Sequence, residues 1–225
     1  MSEKDLLELA SQMGCAQVAL TDINNTSACL NFIRIAPKYG IKPIVGIDFR
    51  QGAEQKFIGL ATSNHGFLQL NDFLSHHLHR KKNFPRYAPE MEDTFIVYPF
   101  RLVESWVDFI SAPHEFIGVT MEDLSRLSNA RYVRYRKQMV VLHTVSFRDK
   151  RDYNLHRLLR AVDNNTLLSK LPKSEEGSLK DLMIPLHDLK HHFRRHTDIL
   201  YQTQELLNTC QVRFDFSSEL KTQNL

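Results

Sequence analysis

Apolar positions in this chain recur with two periods, about two and about 3.6 residues, and the two alternate from the first residues onward. Ser2 stands three residues ahead of Asp5, and Leu6, Leu7, Leu9 and Ala10 follow, which predicts a capped helix that ends near Gly14. Gln17-Val18-Ala19-Leu20 predicts a short strand. A second helix, capped by Asn25 or Thr26, carries Cys29, Leu30, Phe32, Ile33 and Ala36 on its buried side until Tyr39-Gly40 ends it. Ile41 to Phe49 and Lys56 to Ala61 predict two strands joined hairpin-fashion through a Gln51-Gly52 turn. From Asn64 to Lys82 the apolar residues Phe67, Leu68, Leu70, Phe73, Leu74 and Leu78 fall at helical spacing and leave a basic end, His79 to Lys82, in solvent.

A loop rich in proline and charge follows from Asn83 to Glu92. Thr94 to Tyr98 and Phe116 to Thr120 predict strands flanking a segment that contains Trp106, and Asp123 to Arg136 reads as mostly helical. Val140 to Leu142 predicts a buried strand, Asp149 to Val162 and Thr197 to Asn208 predict helices, and Val212 to Phe216 predicts a last strand. Asp163 to Pro185 is polar and turn-rich, a surface loop. Short apolar strands alternating with amphipathic helices predict an α/β fold with a largely parallel sheet or barrel and helices outside. In such folds ligands gather beyond the carboxyl ends of the strands, so the residues that follow each strand are the candidates for chemistry.

Composition narrows the picture without redirecting it. A 42% hydrophobic and 24% charged chain of 225 residues is that of a folded domain with a sizeable core. No apolar run approaches the roughly 20 residues that span a bilayer, and no secretory leader opens the sequence. Cys15, Cys29 and Cys210 show no metal-like spacing and fit a reducing cytoplasm. A net charge of +3 is too small to signal nucleic acid by itself. Two basic runs, Arg80-Lys81-Lys82 and Arg148 with Lys150 and Arg151, are candidate contacts for phosphate or for a partner, against the plainer reading of solvated helix ends. Helical spacing sets His76 beside His79 and His192 beside His196, but neither pair has an acidic or thiol companion nearby, so solvated faces are expected there. There is no Gly-x-Ser-x-Gly elbow, no glycine-rich phosphate loop and no Asp-x-Asp pair, which removes support for acyl transfer, P-loop chemistry and a polymerase palm.

After the first strand comes Ala19-Leu20-Thr21-Asp22-Ile23-Asn24-Asn25, and after the next helix Gly40-Ile41-Lys42-Pro43-Ile44-Val45-Gly46-Ile47-Asp48. These resemble, in order and separation, the "ALTDHGN" and "GIKPIIGCE" segments of PHP domains at the amino end of bacterial DNA polymerase III alpha subunits. The ending, Thr203 to Glu205 and then Cys210 to Phe216, is similar to the segment that closes those domains, so the likeness covers nearly the whole chain as one PHP domain, 1–225.

The resemblance implies a distorted (β/α)7 TIM-like barrel whose mouth, in active members, holds several metal ions that hydrolyse phosphoesters. Such chemistry needs several His and carboxylate ligands. The family's first strand, with its His-x-His pair, has no counterpart here, so the chain is expected to begin after it. Ile23 stands where the histidine of "TDH" belongs, and His143-Thr144-Val145-Ser146-Phe147 resembles "NDVHY" with hydroxyls, poor ligands for zinc-like metals, in place of its Asp and His. Asp22, Asp48 and His143 are the remaining candidate metal positions. No cofactor is expected, and zinc or manganese would enter only through those three. The implied role is structural support of a DNA-directed DNA polymerase, with the remaining domains of the alpha subunit, DNA and other replisome subunits as partners and no membrane. The alternative is a free-standing metal-dependent PHP phosphoesterase or 3'-5' exonuclease.

Overall fold

The computed structural model describes residues 1–52, 54–105 and 112–216. Helix α1 (Glu3–Gln12) starts as its sequence requires: Ser2 Oγ accepts from the Asp5 amide at 3.2 Å, and the Asp5 carboxylate accepts from the Ser2 amide at 3.1 Å. Strand β1 (Gln17–Ile23) leads to α2 (Cys29–Ile35), whose cap is Ala28, without a side-chain bond. The expected caps are occupied elsewhere, Asn25 by Ser27 and Thr26 by Asn71. A 3₁₀ turn (Ala36–Tyr39) ends at Gly40, whose φ of 69° is the left-handed conformation that favours glycine.

Strands β2 (Lys42–Gln51) and β3 (Glu54–Ala61) form the expected antiparallel hairpin. Helix α3 (Asn64–His79) is capped by Ser63 and stops before the expected Lys82, because Lys81 turns to a φ of 51°. Strand β4 (Thr94–Pro99), α4 (Phe100–Glu104), β5 (Glu115–Val119) and β6 (Met139–Val141) follow. Trp106 lies outside the described residues. The stretch expected to be helical from Asp123 to Arg136 consists of two 3₁₀ segments, Leu124–Arg126 and Ala130–Gln138. Asp149 caps α5 (Lys150–Asp163), and the loop beyond it contains the unexpected α6 (Leu186–His192) before α7 (Thr197–Thr209).

The six strands form one curled sheet in the order β1-β2-β3-β4-β5-β6, a half-barrel compatible with a TIM-like barrel. It is less parallel than expected: β1/β2, β4/β5 and β5/β6 are parallel, whereas β2/β3 and β3/β4 are antiparallel. Side chains alternate between its faces. On one face Val45, Ile47 and Phe49 join the large core with Leu7 of α1, Phe32 of α2 and Leu70 of α3. On the other, Ile44, Ile58, Leu60, Val97 and Val140 gather a smaller core closed by Leu206 of α7 and Cys210.

Val212 to Phe216 is not a strand. Its backbone ties to the start of α3, Arg213 N donating to Asn64 Oδ1 at 2.9 Å and Asn64 Nδ2 to Arg213 O at 2.7 Å, and Phe214 meets Phe67 edge-on. Within this alternating segment Val212 joins the large core and Phe214 packs on α3, whereas Phe216 is exposed. Leu30, expected on the buried side of α2, faces solvent, as do Leu68 and Leu78 of α3. Among the described residues no helix is long and apolar enough to cross a membrane.

Candidate functional site

A cleft of about 1040 Å³ opens between the edge strands β1 and β6 and is lined by all three candidate metal positions, Asp22, Asp48 and His143. Lining one cleft does not make them converge. In the parallel β1/β2 register Ile23 stands opposite Asp48, while Asp22 stands opposite the core residue Ile47. Paired residues of neighbouring strands share a face. Asp22 therefore belongs to the helix-covered face, where burial, and then the Glu3 carboxylate, raise its carboxyl above the usual range.

Asp48 is on the opposite face, 4% exposed, and its oxygens are engaged. Arg50, two residues on and hence on the same face, donates to Oδ2 from Nε at 2.9 Å and from Nη2 at 2.7 Å. Gln55, across the hairpin, donates to Oδ1 at 3.0 Å. The clamp is anchored by Asn24 in the turn after β1: its Oδ1 accepts from Arg50 N, and its Nδ2 donates to Arg50 O, both at 2.9 Å. A buried carboxylate must be paired to be tolerated, and here a guanidinium supplies the positive charge.

His143 follows β6. Its Nε2 donates to the Leu182 carbonyl at 3.0 Å, and burial lowers the proton affinity of the ring. Asp181 lies beside this group: burial raises its carboxyl, opposed by the fields of Arg50, His143 and Arg101. Thr144 and Ser146, the hydroxyl substitutions, line the same cleft. Arg50, Gln55 and Asp181 were not singled out from the sequence. The first was legible in principle, since i and i+2 on a strand share a face.

This donor set does not fit the metal cluster of active PHP domains. Asp48 accepts three hydrogen bonds, Arg50 places a fixed positive charge beside it, and Asp22 faces away. Among the described residues no three His, Cys, Asp or Glu side chains come together as a group that could hold a metal ion. His76 and His79 remain on the exposed end of α3, and His196 is engaged by Arg136 at 2.6 Å. Of the basic candidates, Arg80, Lys81 and Lys82 are exposed past the end of α3. Arg148, Lys150 and Arg151 surround the start of α5, with the Arg148 guanidinium taken by Asp152 at 2.7 Å and Asp5 at 3.5 Å.

The family model described as the PHP domain matches residues 1–160, which contain the six strands of the sheet and most of α5. The DNA polymerase III subunit alpha of Streptococcus pyogenes serotype M1 is 24% identical over 220 residues, covering 95% of this chain and 20% of that protein. The DNA polymerase III subunit alpha of Streptococcus pyogenes is 23% identical over the same length, with the same coverage. The chain thus spans about a fifth of the length of these curated relatives. With a curled mixed sheet, a cleft at one opening of it and a family match over most of its residues, this chain belongs to the PHP domain family.

Proposed function

We propose that this chain is the PHP domain of a DNA polymerase III alpha subunit, of the (β/α)7 barrel type, that has lost metal-dependent hydrolysis and supports the polymerase structurally. The observation that carries the reading is the Asp48–Arg50–Gln55 clamp, in which a protein cation neutralises the carboxylate that would otherwise face a metal. Hydrolysis of a phosphoester by this family's route needs cations to polarise the phosphoryl oxygen and generate hydroxide. The clamp and the cleft-lining Thr144 and Ser146 offer neither the open lone pairs nor the negative charge for that. The similarity to two polymerase alpha subunits supports the choice of parent.

The domain extends on this reading beyond residue 160 to Leu225, supported by the way Ile199 and Leu206 of α7 are buried against the sheet. Its partners are the remaining domains of the alpha subunit, and DNA is met through the parent protein. The exposed run Arg80-Lys81-Lys82 is a candidate phosphate contact.

The test is hydrolysis by the purified chain supplied with manganese or zinc, on an end-labelled DNA primer and on a small phosphomonoester. No release of label or phosphate above the metal-only blank is expected. Release that disappears in both Asp48→Ala and His143→Ala would overturn the inactive reading and favour a phosphoesterase or 3'-5' exonuclease.

A further inference from the structure

Helix α5 is built the wrong way round for a helix of a barrel. Its buried residues are Tyr153 and Ala161; Tyr153 meets Phe147 edge-on, and the helix contacts the turn at Leu168–Lys170. Leu155, Leu158, Leu159 and Val162 lie on the opposite side and are 54%, 51%, 58% and 70% exposed. At 100° per residue these four occupy an arc of about 100°, the width of a packed helix face. Leu167, just beyond the helix, extends the patch at 64% exposure. Other exposed apolar residues, such as Val133 and Tyr201, stand on separate elements. A single exposed leucine needs no explanation, whereas four at i, i+3, i+4 and i+7 form a contiguous surface of the kind that marks an interaction site.

The charges around the stripe select among occupants. The acids beside it are already neutralised: Asp152 by Arg148, and Asp163 by Arg160 at 2.6 Å. Arg160 also pairs with Glu175, and Arg157 with Glu176 at 3.0 Å, so the packed side is closed electrostatically. Lys150 and Arg151 at the start of α5 and Lys170 past its end are exposed, with no carboxylate partner among the described residues. Arg151 precedes Leu155 by one turn on the same face. A second copy docked antiparallel would bring the cations at the two ends of the patch together, which is unfavourable. A phosphate backbone would leave the leucines uncovered. An anionic lipid surface would meet the same cations, Asp152 and Asp163 being paired already, so vesicles enter the test as the competing ligand.

We propose that the Leu155–Leu158–Leu159–Val162 face of α5 docks a partner protein through an amphipathic helix whose apolar ridge is flanked by glutamate or aspartate, the acids meeting Lys150 and Arg151. This assignment stands apart from the polymerase reading, because it rests on α5 alone and not on the cleft.

The test uses two synthetic amphipathic helices with the same leucine ridge, one flanked by glutamates and one by lysines, titrated against the chain by fluorescence anisotropy. The glutamate peptide is expected to bind roughly tenfold or more tightly than the lysine peptide. Leu158→Lys and Leu159→Lys abolish that binding with an unchanged melting temperature, since both side chains are already in water. Lys150→Glu with Arg151→Glu reverses the preference between the peptides. Equal binding of the two peptides, or none, overturns the proposal. So does a dimer in sedimentation that Leu158→Lys dissolves, which would assign the face to a second copy. Binding to duplex DNA or to phosphatidylserine vesicles that is lost in the Lys150→Glu, Arg151→Glu variant, with no peptide preference, overturns it in favour of those ligands.

Discussion

Helices α3 and α5 are both amphipathic by sequence, yet they meet opposite fates. The apolar face of α3 lies on the sheet: Leu70 is fully buried, Leu74 nearly so, and Phe73 joins Phe49, Phe57 and Phe84 in an aromatic cluster with ring centroids 4.9 to 6.2 Å apart. It lies so close that a Cβ on Gly59 of β3 would collide with Leu70. Helix α5 is instead tethered by its polar side, through Arg157–Glu176 and Arg160–Glu175, to the loop that follows it, and its leucines point away. An apolar stripe states that a face will be covered, but not by what. For α3 the cover is its own sheet, and for α5 it must come from outside the described residues.

The sharpest way to break this contrast is to truncate one leucine on each helix. Leu70→Ala removes a buried side chain from between α3 and β3 and is expected to cost about 3 kcal/mol. Leu159→Ala is expected to stay within about 0.5 kcal/mol. Urea unfolding of both variants checks the pair. Equal losses would mean that the α5 stripe is covered in the free chain, and the contrast would fall.

Next in size is the clamp on the face of β2 that α3 does not touch. Arg50→Met leaves Asp48 buried with only Gln55 to satisfy it, and is expected to cost about 2 kcal/mol. Adding Asp48→Leu removes the orphaned charge and is expected to restore most of the loss, because a pair replaced by apolar groups can be nearly neutral. A double-mutant cycle by denaturant unfolding measures it. Additive losses would show that the two side chains do not act as a unit.

How much of this was readable from residues follows the same division. Local rules carried the capping box of Ser2 and Asp5, the β2/β3 hairpin and the sheet-facing side of α3, because each depends on neighbours a few residues apart. Asp48 was singled out, but the partners that decide its chemistry were not: Arg50 lies two residues on along the strand, and Gln55 reaches it across the hairpin. Val212 to Phe216 misled because alternation in an extended segment reports a surface to pack on, and for Phe214 that surface is α3. Ile23 could be singled out from the sequence, whereas the separation of Asp22 from Asp48 required the β1/β2 register.

A smaller effect, of opposite sign, probes Asp22. Its carboxyl is raised by burial and by Glu3, so the folded chain holds the proton more tightly than the unfolded one. Stability from this group is greatest at low pH and is lost as pH rises from the ordinary carboxylate value of 3.8 through the raised one. Asp22→Asn is therefore expected to raise the melting temperature at pH 7 by on the order of 2 °C, with the gain vanishing below about pH 4. A loss of stability at pH 7 would mean that Asp22 has a favourable partner when charged.

The smallest effect belongs to the root of α5, and its sign is the reverse. Hydrogen bonding from Arg148 holds the Asp152 carboxyl at about 2, below its ordinary 3.8. A depressed carboxyl contributes stability that is complete above the unfolded value and disappears as pH falls through the folded one, so the window runs from about 3.8 down to about 2. Arg148 is on the surface, where solvent screens such a pair, and Asp152→Asn is expected to lower the melting temperature at pH 7 by only about 1 °C. Wild type and variant should converge as pH approaches 2. If Asp152→Asn also loosens α5, hydrogen exchange at Tyr153 and Leu155 will quicken while that at Leu70 and Leu74 will not. Quickening on both helices would show α5 to be part of the same cooperative unit as the sheet, and the two helices would then differ only in what covers them.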